Sequence, residues 1–180
     1  MFIEALILAV IIGYILKGKI RNLENVELNK TYLIFTSFLI ELFIVISIKS
    51  GLFDIGILTY LINFIMYTLL VVFIYFNRKN KYIVLMGVGF LLNATAIFFN
   101  GGAMPVSAKA AEIAGITLNV SKEGLYTLIN ENTKLWFLGD IIPKTFSRNF
   151  VISIGDIFAV VGLMLFIITG MKQSKLSKSK

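Results

Sequence analysis

Hydrophobic residues in this chain come in unbroken runs rather than in one-sided stripes. Thr31 to Ile48, Ile57 to Phe76, Tyr82 to Phe99 and Ile154 to Met171 each reach the length a helix needs to cross a hydrocarbon core, about 20 mostly apolar residues. Phe2 to Leu16 is shorter, but Lys17 and Lys19 can snorkel at one end and the free terminus can reach the interface at the other. The pattern predicts an all-α polytopic membrane protein with five transmembrane helices, at about 2–16, 31–48, 57–76, 82–99 and 154–171. These form a single transmembrane domain over 1–171, followed by a basic tail over 172–180.

The polar residues between the runs set the orientation. Lys17, Lys19, Arg21 and Lys30, then Arg78, Lys79 and Lys81, then Lys172, Lys175, Lys178 and Lys180 make eleven of the seventeen basic residues. Loops rich in Lys and Arg stay inside, so the N-terminus is expected outside and the C-terminus inside. Glu4 precedes the first apolar run and the basic residues follow it, the reverse of a cleaved signal peptide. The Lys-rich tail reads as a topology determinant that can also lie against anionic lipid.

About fifty residues separate the last two spans, too many to lack structure of their own. Asn100-Gly101-Gly102 follows an apolar helix and suits a C-terminal stop at positive φ. Ser107 begins an alanine-rich turn that Gly115 can end; Ser121 and Glu123 begin another, with Leu125, Leu128 and Ile129 on one face. The 100–153 segment is therefore expected to be external and helical, lying on the membrane surface. Trp136 suits an interfacial position there.

Composition narrows the chemistry. The chain has 180 residues, 58% of them hydrophobic and 15% charged, with a net charge of +7 and a mean hydropathy of +0.89. It has neither cysteine nor histidine. That excludes disulfides, thiolate metal sites and an imidazole base, and no metal or cofactor is expected. The aromatics lie in the spans rather than among basic residues, so no nucleic acid is expected as a partner. Gly13 to Ile20 approaches a phosphate-binding loop, but Ile20 stands where Ser or Thr must hold magnesium.

Polar groups inside the spans are the candidate site. Counted at about 1.5 Å per residue from the external end, Glu41, Asn63 and Asn93 each lie about 9–10 Å deep. A carboxylate at that depth costs about 2.5–3.5 kcal/mol by insertion measurements, so Glu41 should face the bundle. The plainer reading is that these side chains glue helices together. Asp156 has a simple structural role open to it, since Ser153-x-x-Asp156 before an apolar run reads as a capping box. Asp140 sits in a Gly-Asp turn. With Asn100 they outline a ligand-binding or polar pocket in the outer half of the bundle: Glu41, Asn63, Asn93, Asn100, Asp140 and Asp156.

Four stretches resemble a known family. Ile15-Leu16-Lys17-Gly18-Lys19-Ile20-Arg21-Asn22-Leu23, Asn100-Gly101-Gly102-Ala103-Met104-Pro105-Val106, Phe137-Leu138-Gly139-Asp140-Ile141-Ile142-Pro143 and Ser153-Ile154-Gly155-Asp156 are similar to bacterial integral membrane proteins grouped as a domain of unknown function. The resemblance implies a multi-pass fold in the cell membrane and carries no activity. The family often has Arg at the position of Ala103 and His ahead of the Phe137 stretch; this chain has neither.

Three functions compete. The first is a non-catalytic membrane binding or accessory protein whose external segment caps a polar pocket for a small molecule, lipid headgroup or partner protein. The second is an ion- or proton-coupled transporter with Glu41 as its proton site. The third is an intramembrane hydrolase using Asp140 and Asp156 as a carboxylate pair.

Overall fold

A computed structural model describes residues 1–52, 56–117 and 125–173. In chain order these form α1 (Phe2–Ile15), a 3-10 turn (Ile20–Asn25), α2 (Tyr32–Lys49), α3 (Ile57–Phe76), α4 (Lys81–Phe99), β1 (Met104–Val106), α5 (Ala108–Ile113), β2 (Tyr126–Leu128), a 3-10 turn (Trp136–Leu138), β3 (Ile142–Lys144), β4 (Phe150–Ile152) and α6 (Ile154–Lys172). The molecule is mostly helical, and α2, α3, α4 and α6 are long and apolar enough to cross a membrane. α1 is apolar but has only 14 residues.

The helices stand in an open arc, α2 beside α3, then α4, α6 and α1, with the closest packing between α4 and α6. Small residues make that packing possible. A Cβ on Gly89 would strike the Gly155 carbonyl, and one on Gly162 would lie 2.6 Å from the Met86 nitrogen. Gly155 in turn lies against the Asn93 side chain. The two backbones touch because neither carries a side chain at the crossing, as small residues allow between membrane helices.

Both ends of α1 are tied to the bundle. Glu4 pairs with Lys144 of β3 at 2.9 Å. Past its other end the Lys19 N–H and Asn22 Nδ2 donate to the carbonyl of Met171, at 2.8 and 2.7 Å. α1 therefore runs the length of α6 despite being a turn shorter.

The 100–153 segment corrects one expectation: its described residues are not a helical layer. Beside the short α5 they form two small two-stranded sheets, β1 parallel to β2 and a β3–β4 hairpin, with Asp140 bridging to Val106. The helical stretch expected from Ser121 and Glu123 falls outside the described residues in its first half, and in its second half Tyr126–Leu128 is a strand. Short β-branched and aromatic runs such as Phe150-Val151-Ile152 cannot span a helical face but pair well as strands. The other local expectations concern caps. The Ser107 hydroxyl accepts from the Ala110 N–H, which starts α5, and Gly115 follows it at φ +67°. Gly101 and Gly102 turn the chain out of α4 at φ +74° and +91°.

Candidate functional site

The 100–153 segment closes one end of the bundle over a cavity of about 280 Å³. α2 lines it with Glu41, Val45 and Lys49, α3 with Asn63 and Tyr67, and α4 with Asn93 and Ile97. Each set is spaced by four residues, so one helical face points inward from each helix. Asp156 enters from α6, and the roof is Gly102, Met104, Leu125, Tyr126 and Asp140.

Asp156 is fully engaged. Its Oδ2 accepts from the Ser153 N–H at 3.1 Å, while its own N–H donates to Ser153 Oγ at 2.9 Å. Asn93 completes the ring: its Nδ2 donates to Asp156 Oδ1 at 2.9 Å, and its Oδ1 accepts from Ser153 Oγ at 2.7 Å. The capping box read from the sequence is present and extends sideways to α4. Asn63 is buried and donates to the Gly102 carbonyl at 3.0 Å, which fixes the roof to α3.

Asp140 differs. Its backbone is held on both sides, donating to the Pro105 carbonyl at 2.8 Å and accepting from the Ser107 N–H at 2.9 Å. Gly139 permits this approach, because a Cβ there would lie 2.5 Å from the Pro105 carbonyl oxygen. The side chain is 5% exposed, and its Oδ1 is buried with no hydrogen-bond partner among the described residues. Burial, and after it the negative charge of Asp156, raises its pKa from the ordinary carboxylate range to about 8. A buried orphan acceptor costs free energy that a partner would recover.

Of the six residues expected to form the pocket, the structure brings Glu41, Asn63, Asn93, Asp140 and Asp156 to this cavity. Asn100 lies off it. Its side chain clamps Lys134, donating to that residue's carbonyl at 2.8 Å and accepting from its N–H at 2.9 Å, and also donates to Ala96. Sequence reasoning passed over Lys49, Tyr67 and the role of Ser153 as a donor to Asn93. The signal was available for the first two, eight residues from Glu41 and four from Asn63 on the same helical faces.

A larger recess, about 800 Å³, lies at the opposite end of the helices among Asn29, Asn77, Lys81 and Lys172. Its central amide is already satisfied. Asn77 accepts from the Asn29 N–H and donates to the Asn29 and Phe73 carbonyls, each at 2.8 Å. The smaller cavity holds the unpartnered Asp140 oxygen. Among the described residues no group of acidic side chains could hold a metal ion.

A helical arc with membrane-length spans, closed at one end over an acidic cavity, defines the class of protein: a small multi-helix protein of membrane type. More particularly, the chain belongs to a family of unknown function, DUF5317, whose model matches residues 25–168. It is similar to an uncharacterized protein of Thermotoga maritima, 29% identical over 170 residues that cover 93% of this chain and 90% of the relative. No solved structure matches it.

Proposed function

We propose that this protein is a non-catalytic integral membrane binding or accessory protein of the cell membrane, with an outward-facing polar pocket capped by the 100–153 segment. α1 is a fifth span in this reading, N-terminus out and C-terminus in. The positions of Lys and Arg support that orientation, and the contacts at both ends of α1 support its crossing beside α6. Lys172 and the tail beyond it then lie near anionic lipid.

The observation that carries the reading is the Asp140 carboxyl, buried in a cavity with one oxygen that no described residue hydrogen-bonds. The four long helices are continuous, which favours binding over a transport cycle built on interrupted helices. The test is purification in mild detergent, followed by extraction and mass measurement of whatever stays bound. Wild type should retain a ligand that Asp140→Asn and Glu41→Gln lose while expression persists. If both variants are indistinguishable from wild type, the pocket reading fails.

One observation favours a second reading. Asp140, with its pKa at about 8, shares the cavity with Asp156, whose two oxygens accept hydrogen bonds. Two carboxyls in unlike environments can divide acid and base roles, as a hydrolase would need. Hydrolysis of a bound ester or peptide, abolished in either aspartate variant, would favour it over binding alone.

A further inference from the structure

The cavity's chemistry narrows what it can take up, granted that it is a binding site as proposed above. Among the described residues three carboxyl groups line it, those of Glu41, Asp140 and Asp156, against one cation, Lys49. Among the described residues none of the three is in an ion pair. Asp156 is engaged by Ser153 and Asn93, whereas Asp140 Oδ1 has nothing to accept from. The unmet demand is for a hydrogen-bond donor, and a cationic one would displace the proton that burial and Asp156 keep on Asp140. An ammonium group supplies both, and hydrogen bonds to charged groups are the stronger kind.

The cavity also has a way in. Glu41 lines the cavity and is exposed, so the cavity reaches the flank of the bundle at α2. Among the described residues α2 packs chiefly on α3, at the end of the arc. In the membrane this flank faces lipid rather than water. Lys49 stands two turns from Glu41 on the same face of α2 and lines the same cavity, where it can meet an anionic group carried by the same ligand.

We propose that the cavity holds the headgroup of a membrane amphiphile bearing a primary amine, with the ammonium on Asp140, a phosphate within reach of Lys49, and entry from the side past Glu41. The shared chemistry is the primary ammonium. The lateral opening makes a lipid its source rather than a free amine in water.

The test uses the full chain in nanodiscs containing equal parts phosphatidylethanolamine, phosphatidylcholine and phosphatidylglycerol, released into a mass spectrometer to identify retained lipid. Wild type should retain phosphatidylethanolamine about tenfold over the other two, the factor a charge-assisted hydrogen bond gives. Asp140→Asn should abolish the preference, and Glu41→Gln should weaken it. Displacement by millimolar glycerophosphoethanolamine as readily as by the intact lipid would overturn the lipid source. Asp140-dependent retention of all three lipids alike would overturn the amine and leave the binding site standing. Retention of no lipid in any form of the protein would overturn both.

Discussion

The amide of Asn93 on α4 donates to the carboxylate of Asp156 on α6 at 2.9 Å, directly beside the point where Gly89 and Gly155 bring the two backbones into contact. A helix cap has thereby become a link between helices. The capping serine serves both partners, accepting from Asp156 N–H and donating to Asn93 Oδ1. Removing any member leaves buried polar groups without partners, so the members should behave as a unit. Asn93→Ala and Ser153→Ala should each lower thermal stability in detergent by about 1–3 kcal/mol. The double variant should fall short of the sum by more than about 0.5 kcal/mol. Additive losses would show that the ring is not cooperative.

The glycines at the crossing give a sharper steric test. Gly155→Ala drives a methyl group into the Asn93 side chain and should cost about 1–3 kcal/mol by overpacking, with loss of the Asn93 to Asp156 bond. Gly56→Ala serves as the contrast, since a Cβ there meets nothing within 4 Å. Thermal unfolding of the two variants side by side checks the difference.

Asp140 should make stability depend on pH. Its pKa is about 8 in the folded protein and near the ordinary 3.8 when unfolded, so the folded state binds the extra proton between those values. Stability should fall as pH rises from about 4 through 8. The other titratable or charged groups lining the cavity are Glu41, Asp156, Lys49, Tyr67 and Tyr126. Asp140→Asn keeps the shape without the titration and should flatten the profile. A slope unchanged in that variant would assign it to another group.

Asn100 ties the end of α4 to the loop before Trp136 through paired bonds with the Lys134 backbone. Asn100→Ala should leave the cavity intact and loosen its roof. Amide exchange at Lys134 should accelerate about tenfold or more, as expected when a hydrogen bond worth about 1–2 kcal/mol is lost. Protection equal to wild type would mean that the segment is held by β1, β2 and the hairpin alone.

The ion pair of Glu4 with Lys144 should matter little to stability. Both side chains are part-exposed, and such pairs contribute about 0–1 kcal/mol. Its role is positional, and cysteine cross-linking between positions 4 and 144 should proceed rapidly in the native protein.

How much was legible in the amino acids follows from the range of the forces involved. The helices were: the apolar run at 57–76 coincides with α3, and that at 154–171 with α6 to within a residue. A run of apolar side chains has to satisfy its backbone internally in lipid, and this needs no knowledge of neighbours. Caps at Ser107 and Ser153 were legible for the same reason, since a cap joins residues three apart. The polar positions at Glu41, Asn63 and Asn93 could be singled out by their cost, and their distance from the end of each helix could be counted. The strands at Met104–Val106 and Tyr126–Leu128 could not, because a three-residue strand exists only through its partner. Asn100 and Asp140 show the same division. Both are polar residues in turns of one segment, yet one is consumed by the Lys134 backbone and the other is left facing a cavity with a free oxygen. Local chemistry determines which residues are expensive to bury. Only the packing of α2, α3, α4 and α6 under their roof decides which of them finds a partner among the described residues and which does not.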